Sequence, residues 1–297
     1  DPPTIEEITE RVDGLDLRTA DEKYQELEVF FHKDTLTQII ALKEYFLQKQ
    51  MVGELDRVDR WIRMVALNRL TGHSTGFFSV YSLPPNQAVS IEAQRKINNA
   101  RDQTPEAKTI KPRIIRRSKA LLKDWQDPGL GRRSVDLGFT LTNEDARHVL
   151  SIPTDAAQLV VTSPPFLDVV NYHNDNWMRC WFLGIDSSTV KLSQIRKPND
   201  WQALMTEVLR DVKRILKPGG YVAFEVGEVK SGKLLLEDLV LPAGVDAGLD
   251  PVIVLINVQA FTKTANTWGV TNQRKGTNTN RIVVLQSPQT KEFSSST

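Results

Sequence analysis

The chain has 297 residues, of which 40% are apolar and 25% charged, a composition that excludes a disordered or collagen-like protein. Its single cysteine excludes a disulfide framework and a cysteine-based zinc site, and favours a reducing cytoplasm. No apolar run approaches the 18 residues of a membrane span, and the acidic N-terminus predicts no signal peptide.

The net charge of +1 hides two opposed blocks. Residues 1–60 carry eight basic and fifteen acidic side chains, whereas residues 108–133 carry nine basic and two acidic ones. A concentrated positive stretch favours contact with a polyanion, and we expect Arg116 and Arg117 to make it. A solvated helix face explains the same composition equally simply.

The first 125 residues carry helical patterns. Thr4-Ile5-Glu6-Glu7 is a capping box that predicts the start of a short helix. Residues 76–89 predict a loop, and Gly72 just before it is the predicted end of a helix. Apolar spacing and capping residues predict the remaining helices over 20–50, 54–71, about 90–99 and about 111–125.

From residue 134 onward, predicted strands and helices alternate. This pattern predicts an α/β domain with a largely parallel sheet, preceded by a mainly helical region. Residues 200–216 form an amphipathic pattern with Leu204 and Val208 on its apolar face, stopped by Lys217-Pro218-Gly219-Gly220, and 233–240 predicts another helix. The predicted strands are 134–142, 157–163, 221–226, 251–261 and 281–286. We expect a helical region over 1–130, an α/β domain over 131–290 and a disordered tail over 291–297.

The most specific motif is Thr162-Ser163-Pro164-Pro165-Phe166, directly after a predicted strand. Ligands of open α/β sheets bind beyond the carboxyl ends of strands. Prolines have no N–H, so the carbonyls of Ser163 and Pro164, together with the Ser163 hydroxyl, can accept hydrogen bonds from an amino group. Phe166 supplies a flat face for a planar ring, and the set suits the exocyclic amino group of a nucleobase.

The same prolines can also simply terminate a strand. Leu83-Pro84-Pro85-Asn86 has the prolines without the preceding hydroxyl residue and the following aromatic residue, and we interpret it as structural. A second motif, GEVKSGK at 227–233, fits a phosphate-binding loop except that Leu234 stands where Ser or Thr would bind magnesium. We therefore favour the proline motif as the site.

TSPPF resembles the catalytic motif of the S-adenosylmethionine-dependent DNA amino-methyltransferases, which methylate N4 of cytosine or N6 of adenine. LTNEDARHVL, AQLVVTSPPF and LKPGGYVAFEVGE occur in the matching order, and the resemblance covers 134–286. It implies a Rossmann-like methyltransferase sheet, of which five of seven strands are predicted here, with S-adenosylmethionine as methyl donor, DNA as partner and no metal. It also implies an extruded base whose amino nitrogen attacks the methyl group directly.

The resemblance assigns roles to individual residues. The catalytic set is Ser163, Pro164, Pro165 and Phe166. Other roles are donor binding by Asp145 and Thr162 and target binding by Asn171 and Tyr172, although capping and packing explain Asp145, Asn171 and Tyr172 as well. Cytosine-C5 methylation needs a Pro-Cys nucleophile, and the single cysteine, Cys180, has no preceding proline and lies in a predicted buried helix over 176–182.

One part of the family pattern is missing. The family binds its donor with a Gly-rich turn of F-x-G-x-G type, and this sequence contains none. Because the chain begins with Asp rather than Met, we expect either a fragment or one subunit of a split enzyme whose partner supplies that turn. N4-cytosine is favoured over N6-adenine, since Ser precedes and Phe follows the prolines. An RNA amino-methyltransferase and a non-catalytic nucleic-acid-binding subunit remain as alternatives.

Overall fold

The chain folds as helices followed by a sheet with two helices. The computed structural model describes residues 2–20, 24–83, 87–125, 139–165, 167, 172–190, 195–229, 234–258 and 279–289. These divide into two units, one of Asp1–Phe139 with Tyr172–Leu192 and one of Thr140–Asn171 with Ser193–Thr297. Across the described ranges, no helix is both long enough and apolar enough to cross a membrane.

The first unit, called the helical unit below, confirms the predicted capping signals. Thr4 and Glu7 form the reciprocal capping box of α1, and the Ser90 hydroxyl accepts a hydrogen bond from the N–H of Ala93 at the start of α4. The helices are α1 Ile5–Gly14, α2 Lys33–Met51, α3 Arg57–Leu67, α4 Ile91–Arg101, α5 Ile110–Leu122 and α6 Tyr172–Leu183.

Phenylalanines form the centre of the helical unit. Phe30, Phe31, Phe46, Phe78 and Phe182 are all fully buried there. Phe182 belongs to α6, which follows the proline motif along the chain but packs in the helical unit, where the Phe46 and Phe182 rings lie 6.3 Å apart. The buried helix predicted over 176–182 is therefore confirmed.

Two predicted helix boundaries are wrong. The helix predicted from residue 20 begins only at Lys33, after a short 3₁₀ turn at Gln25–Val29, because His32 caps it by accepting a hydrogen bond from the N–H of Asp34. The next helix ends at Leu67 rather than at Gly72. Gly72 instead lets the chain approach the Phe77 ring, since a Cβ there would lie 2.5 Å from that ring.

The second unit, called the sheet unit below, contains a four-stranded sheet in the order β1-β2-β6-β5. β1 and β2 are parallel, whereas β6 runs antiparallel to both β2 and β5. The α/β class is confirmed, but two of the three strand pairings are antiparallel, since an apolar run does not encode the direction of its strand. The strands are β1 Ala157–Thr162, β2 Leu216–Val226, β3 Glu228–Val229, β4 Leu234–Leu235, β5 Asp250–Val258 and β6 Thr279–Gln286.

Four of the five predicted strands are confirmed, and the remaining one, 134–142, is not. Residues 139–142 have no regular structure, and Phe139 and Leu141 are exposed; residues 134–138 lie outside the described residues. The helix predicted over 233–240 begins only at Glu237, because Leu234 and Leu235 pair with β3 as β4.

Helices α7 Pro198–Ile215 and α8 Glu237–Asp246 pack with one face of the sheet. Val222, Phe224 and Val226 point to this covered face and are fully buried. The buried apolar residues of α7 are Trp201, Met205, Leu209, Val212 and Ile215. The apolar face predicted from Leu204, Val208, Val212 and Ile215 is therefore confirmed for its last two residues, whereas Leu204 and Val208 lie at the edge of the core. The predicted stop is confirmed, since α7 ends at Ile215 and Gly219 adopts a φ of 77°.

Candidate active site at the end of strand β1

The proline motif leaves the sheet at the carboxyl end of β1. Thr162, the last residue of the strand, pairs with Phe224 of the parallel neighbour β2. Thr162 is half-buried, whereas Ser163 and Pro165 are exposed. The structure thus brings together Thr162, Ser163, Pro164 and Pro165, at the kind of position where α/β sheets bind ligands.

Helix α7 holds the motif in place. The indole N–H of Trp201, a residue only 3% exposed, donates a hydrogen bond of 3.1 Å to the carbonyl of Pro165. On the far side of the motif, Leu167 is buried in the same core. The two prolines therefore lie between two buried residues, Trp201 and Leu167, that hold the motif in place. Trp201 was not among the predicted site residues, although a tryptophan on the apolar face of the predicted helix could have indicated a residue that packs beside the motif.

The carbonyls of Ser163 and Pro164 lie at the centre of the motif. Within the described ranges, no hydrogen-bond donor reaches the carbonyl oxygen of Ser163 or of Pro164. The two prolines present no N–H that could compete for these acceptors. Two carbonyl acceptors with no adjacent backbone donor favour ligands that donate hydrogen bonds.

Three of the predicted residues cannot be placed in this geometry. Phe166 and Asn171 lie outside the described residues, and for Tyr172, the first residue of α6, only the backbone is described. Their stacking and target-binding roles stay predictions.

Asp145 lies in an irregular segment, with no strand in the residues from 139 that lead to it. Its carboxylate accepts a hydrogen bond of 2.9 Å from the N–H of Arg147 and forms an ion pair of 2.7 Å with the guanidinium of the same residue. The side-chain hydrogen bonds from Arg147, followed by the backbone one, hold the pKa of Asp145 well below its usual range. Asp145 is therefore ionised and paired with Arg147, and its role in donor binding stays a prediction.

A second polar cluster attaches this irregular segment to α7. The carboxylate of Asp211 accepts a hydrogen bond of 2.9 Å from the N–H of Val149, and the guanidinium of Arg214 donates bonds of 2.8 Å to the carbonyls of Val149 and Ile152. The side-chain hydrogen bond from Arg214, opposed by burial, lowers the pKa of Asp211. These partners are far apart in the sequence, so the pattern of α7 alone gave no signal for them.

Arg116 and Arg117 lie on α5 of the helical unit, where Arg116 is exposed and Arg117 is half-buried. Neither forms an ion pair with a carboxylate of the described residues. Among all residues that the structure describes, no group of three or more His, Cys, Asp or Glu side chains is arranged to hold a metal ion.

No family model matches the chain, and no curated protein matches it either. Solved structures to which the chain is similar at low identity include the following three. A candidate DNA modification methylase of Thermus thermophilus, solved with S-adenosyl-L-methionine, is 23% identical over 49% of this chain and 52% of its own, with a TM-score of 0.30. The cytosine-N4-specific PvuII DNA methyltransferase is 15% identical over 49% and 48%, with a TM-score of 0.33.

The third similar structure is an S-adenosylmethionine-dependent methyltransferase from Methanosarcina mazei. It is 12% identical over 60% of this chain and 77% of its own, with a TM-score of 0.33. The present chain therefore spans about half the length of the Thermus and PvuII proteins that it matches.

Proposed function

We propose that the chain carries the target-base site of an S-adenosylmethionine-dependent DNA methyltransferase that modifies an exocyclic amino group. The observation that carries this proposal is that the carbonyls of Ser163 and Pro164 accept no hydrogen bond from the described residues, on a segment held by the hydrogen bond from Trp201 to Pro165. An exocyclic amino group has two N–H donors, and these acceptors match it. The base must leave the duplex to reach them, which costs a few kcal/mol.

The role of the motif follows from this geometry. Hydrogen bonds from the amino group to the Ser163 and Pro164 oxygens orient the nitrogen, and they localise its lone pair away from the ring. Since proline fixes its own backbone torsion, the acceptors need little reorganisation when the base arrives. Orientation of a weak nucleophile is the main rate-enhancing contribution that such a site can make.

The described residues do not by themselves fit the methyl donor. Asp145 is paired with Arg147, and Thr162 is the only other residue that the resemblance places beside the donor. We propose that a Gly-rich segment outside the described residues, from a preceding stretch of polypeptide or from a partner chain, completes the donor site. For this reason we assign no step of the reaction to the donor-binding residues.

The proposed target is N4 of cytosine. Ser163 before the prolines and Phe166 after them favour cytosine, whereas Asp and Tyr at these two positions are more common in the adenine enzymes of the family. The decisive experiment is nucleoside analysis of unmethylated DNA after incubation with labelled donor and the chain, in the presence of the polypeptide that precedes or accompanies it. N4-methyldeoxycytidine is expected.

Other outcomes of this assay change the proposal in defined ways. N6-methyldeoxyadenosine would keep the enzyme class and change the base, and label in RNA but not in DNA would favour the RNA alternative. Unlabelled nucleic acid, with donor binding shown in the same mixture, would contradict the proposal in favour of a non-catalytic subunit.

The variant that tests the site is Ser163→Ala. Because Ser163 is exposed, the free energy of unfolding should change by less than about 0.5 kcal/mol. Loss of one acceptor from a preorganised site should lower the rate of transfer about a hundredfold. Ser151→Ala is the matched control in the same unit, since the exposed Ser151 hydroxyl contacts Glu144 outside the motif. Ser163→Ala leaves both carbonyls in place, so equal transfer rates in the two variants would contradict the role assigned to the Ser163 hydroxyl.

A further inference from the structure

At the loop that follows α3, a group of hydrogen-bond donors surrounds a glycine. Gly76 lies at its centre, and Arg69, Ser74 and Arg116 surround it. A methyl group built on Gly76 would lie 3.4 Å from Nη2 of Arg116, 3.7 Å from Nη1 of Arg69 and 3.7 Å from Oγ of Ser74. These four residues are called the Gly76 cradle below. Two guanidinium groups and a hydroxyl thus converge on a space left open by the missing side chain of a glycine.

The Gly76 cradle is held in place before any ligand binds. The guanidinium of Arg69 lies over the Phe77 ring, 4.2 Å from its centroid, and its Nε atom donates a hydrogen bond of 2.8 Å to the carbonyl of Asn68. Arg113 of α5 connects the loop to the helix, since it donates to the carbonyl of Thr75 at 3.2 Å. With Nε of Arg69 used in this way, its Nη1 atom is directed at the space beside Gly76.

The charges around the cradle are not balanced by acids. Among the described residues, Arg11 and Arg57 of the same unit pair with carboxylates, whereas Arg69, Arg113 and Arg116 do not. Burial, together with the positive charges of Arg117 and Arg116, lowers the pKa of Arg69. Burial and the positive charge of Arg116 also lower the pKa of Arg113. Cations held together without a counter-charge favour a bound anion, which relieves their repulsion.

We propose that the Gly76 cradle binds a phosphate group of the DNA backbone. Guanidinium forks match the geometry of phosphate oxygens, and the Ser74 hydroxyl adds a neutral donor. The exposed cations of α5 extend the positive surface beyond the cradle. A polyanion such as DNA can contact this extended surface, whereas a small free anion needs only the cradle. This inference rests on the proposed function for the identity of the polymer as DNA, and it assigns a residue-level role to a loop that the sequence analysis left unassigned.

The test is binding of a fluorescent DNA duplex to the full chain, followed by anisotropy between about 50 and about 200 mM salt without methyl donor. Gly76→Ala places a methyl group in the cradle at ordinary contact distance and changes no charge. Arg116→Gln removes one guanidinium from an exposed position. Each variant should weaken binding about tenfold, as expected for one charge-assisted hydrogen-bond site. Loss of the phosphate contact should also lower the slope of log affinity against log salt by about 0.9.

Arg95→Gln is the matched control, because Arg95 is an exposed arginine on α4 of the same unit. A slope that is unchanged in both cradle variants, or lowered equally by Arg95→Gln, would overturn the inference. So would an RNA duplex that binds through the cradle while DNA does not. Circular dichroism checks that Gly76→Ala folds, and Arg116→Gln decides the outcome if it does not.

The assay also separates this inference from the proposed function. Reduced slopes in a chain that never supports methyl transfer would preserve the cradle and contradict the enzyme. Methyl transfer with unchanged slopes would preserve the enzyme and contradict the cradle.

Discussion

Among the described residues, those of the helical unit enclose a core, whereas those of the sheet unit leave one apolar surface exposed. In the helical unit, the large apolar side chains of α2, α3 and α6 point into a common interior. In the sheet unit, α7 and α8 cover one face, and side chains of the opposite face remain in solvent. The exposed apolar residues of that face are Leu159 at 59%, Val161 at 73%, Ile253 at 51% and Leu255 at 48%.

This difference bears on function because the proline motif follows an edge strand of the sheet. Among the described strands, β1 lies at an edge of the sheet and has β2 as its one neighbour. An edge strand with an apolar face is a template for pairing with another segment, and natural proteins seldom leave one bare. The open face therefore supports the proposal that further polypeptide completes the donor side of the site.

The largest effect should come from truncating one leucine in each region. Leu42→Ala removes a fully buried side chain of the helical unit and should lower the free energy of unfolding by about 2–5 kcal/mol. Leu159→Ala on the open face should change it by less than about 0.5 kcal/mol. Urea denaturation measures both values. A Leu159→Ala effect as large as that of Leu42→Ala would show that the face is covered, for example by a second copy of the chain.

Titration with S-adenosylmethionine tests whether the chain needs further polypeptide to bind the methyl donor. The isolated chain should bind the donor weakly, with a dissociation constant above about 1 mM, if the proposed Gly-rich segment is needed to complete the donor site. Calorimetry measures this constant, with heat of dilution as the blank. Micromolar binding, about 4 kcal/mol stronger, would contradict both the fragment and the split-enzyme explanations.

Substitution of one tryptophan in each unit compares the effect of losing a single hydrogen bond. Trp201→Phe removes the donor to Pro165, and it should cost about 1 kcal/mol of unfolding free energy and also lower methyl transfer. Trp61→Phe removes a bond of 3.0 Å to the buried hydroxyl of Ser118 and should cost about 1–3 kcal/mol without affecting transfer. Urea denaturation and the transfer assay give the two readouts. Equal transfer losses would mean that Trp201 acts only through stability.

The smallest effect is a pH dependence of stability that arises from Asp56 in the helical unit. Burial opposes ionisation of Asp56, but its hydrogen bonds with Arg11 and with the N–H of Asp59 outweigh burial and lower the pKa from 3.8 to about 2. A depressed pKa stabilises the fold above pH 3.8, and that stability is lost as the pH falls towards about 2.

Asp56→Asn keeps the capping acceptor and removes the titration. Its difference in stability from the parent chain should be under about 1 kcal/mol near neutral pH, since the carboxylate is half-exposed, and should shrink below about pH 4. Thermal unfolding at several pH values measures it. A difference that stays constant down to about pH 2 would contradict the Arg11–Asp56 pairing.

Local sequence signals predicted an element correctly where neighbouring residues alone determine that element. The capping box of α1, the Ser90 cap of α4 and the strand before Ser163 are each set by neighbouring residues, and each is confirmed. Gly72 was misassigned because its smallness serves the Phe77 ring, a contact that no helix-end pattern encodes.

Part of the candidate site could be predicted from the sequence, and part depends on tertiary packing. The acceptor chemistry of Ser163-Pro164-Pro165 is covalent, so the sequence already contains it. The Trp201 anchor depends on α7 packing beside the motif, 36 residues further along the chain, and the Gly76 cradle depends on α5 meeting the loop after α3. Neither contact follows from local periodicity.

The sequence by itself therefore determined the α/β class, the helical region and the motif with its chemistry, since these rest on covalent structure and on periods of two to four residues. Tertiary structure alone decided the direction of β6, the transfer of α6 to the helical unit, the open face beside β1 and the convergence of Arg69 and Arg116 on Gly76. Each of these depends on which distant apolar surfaces bury one another, and many arrangements of the same elements satisfy the local pattern.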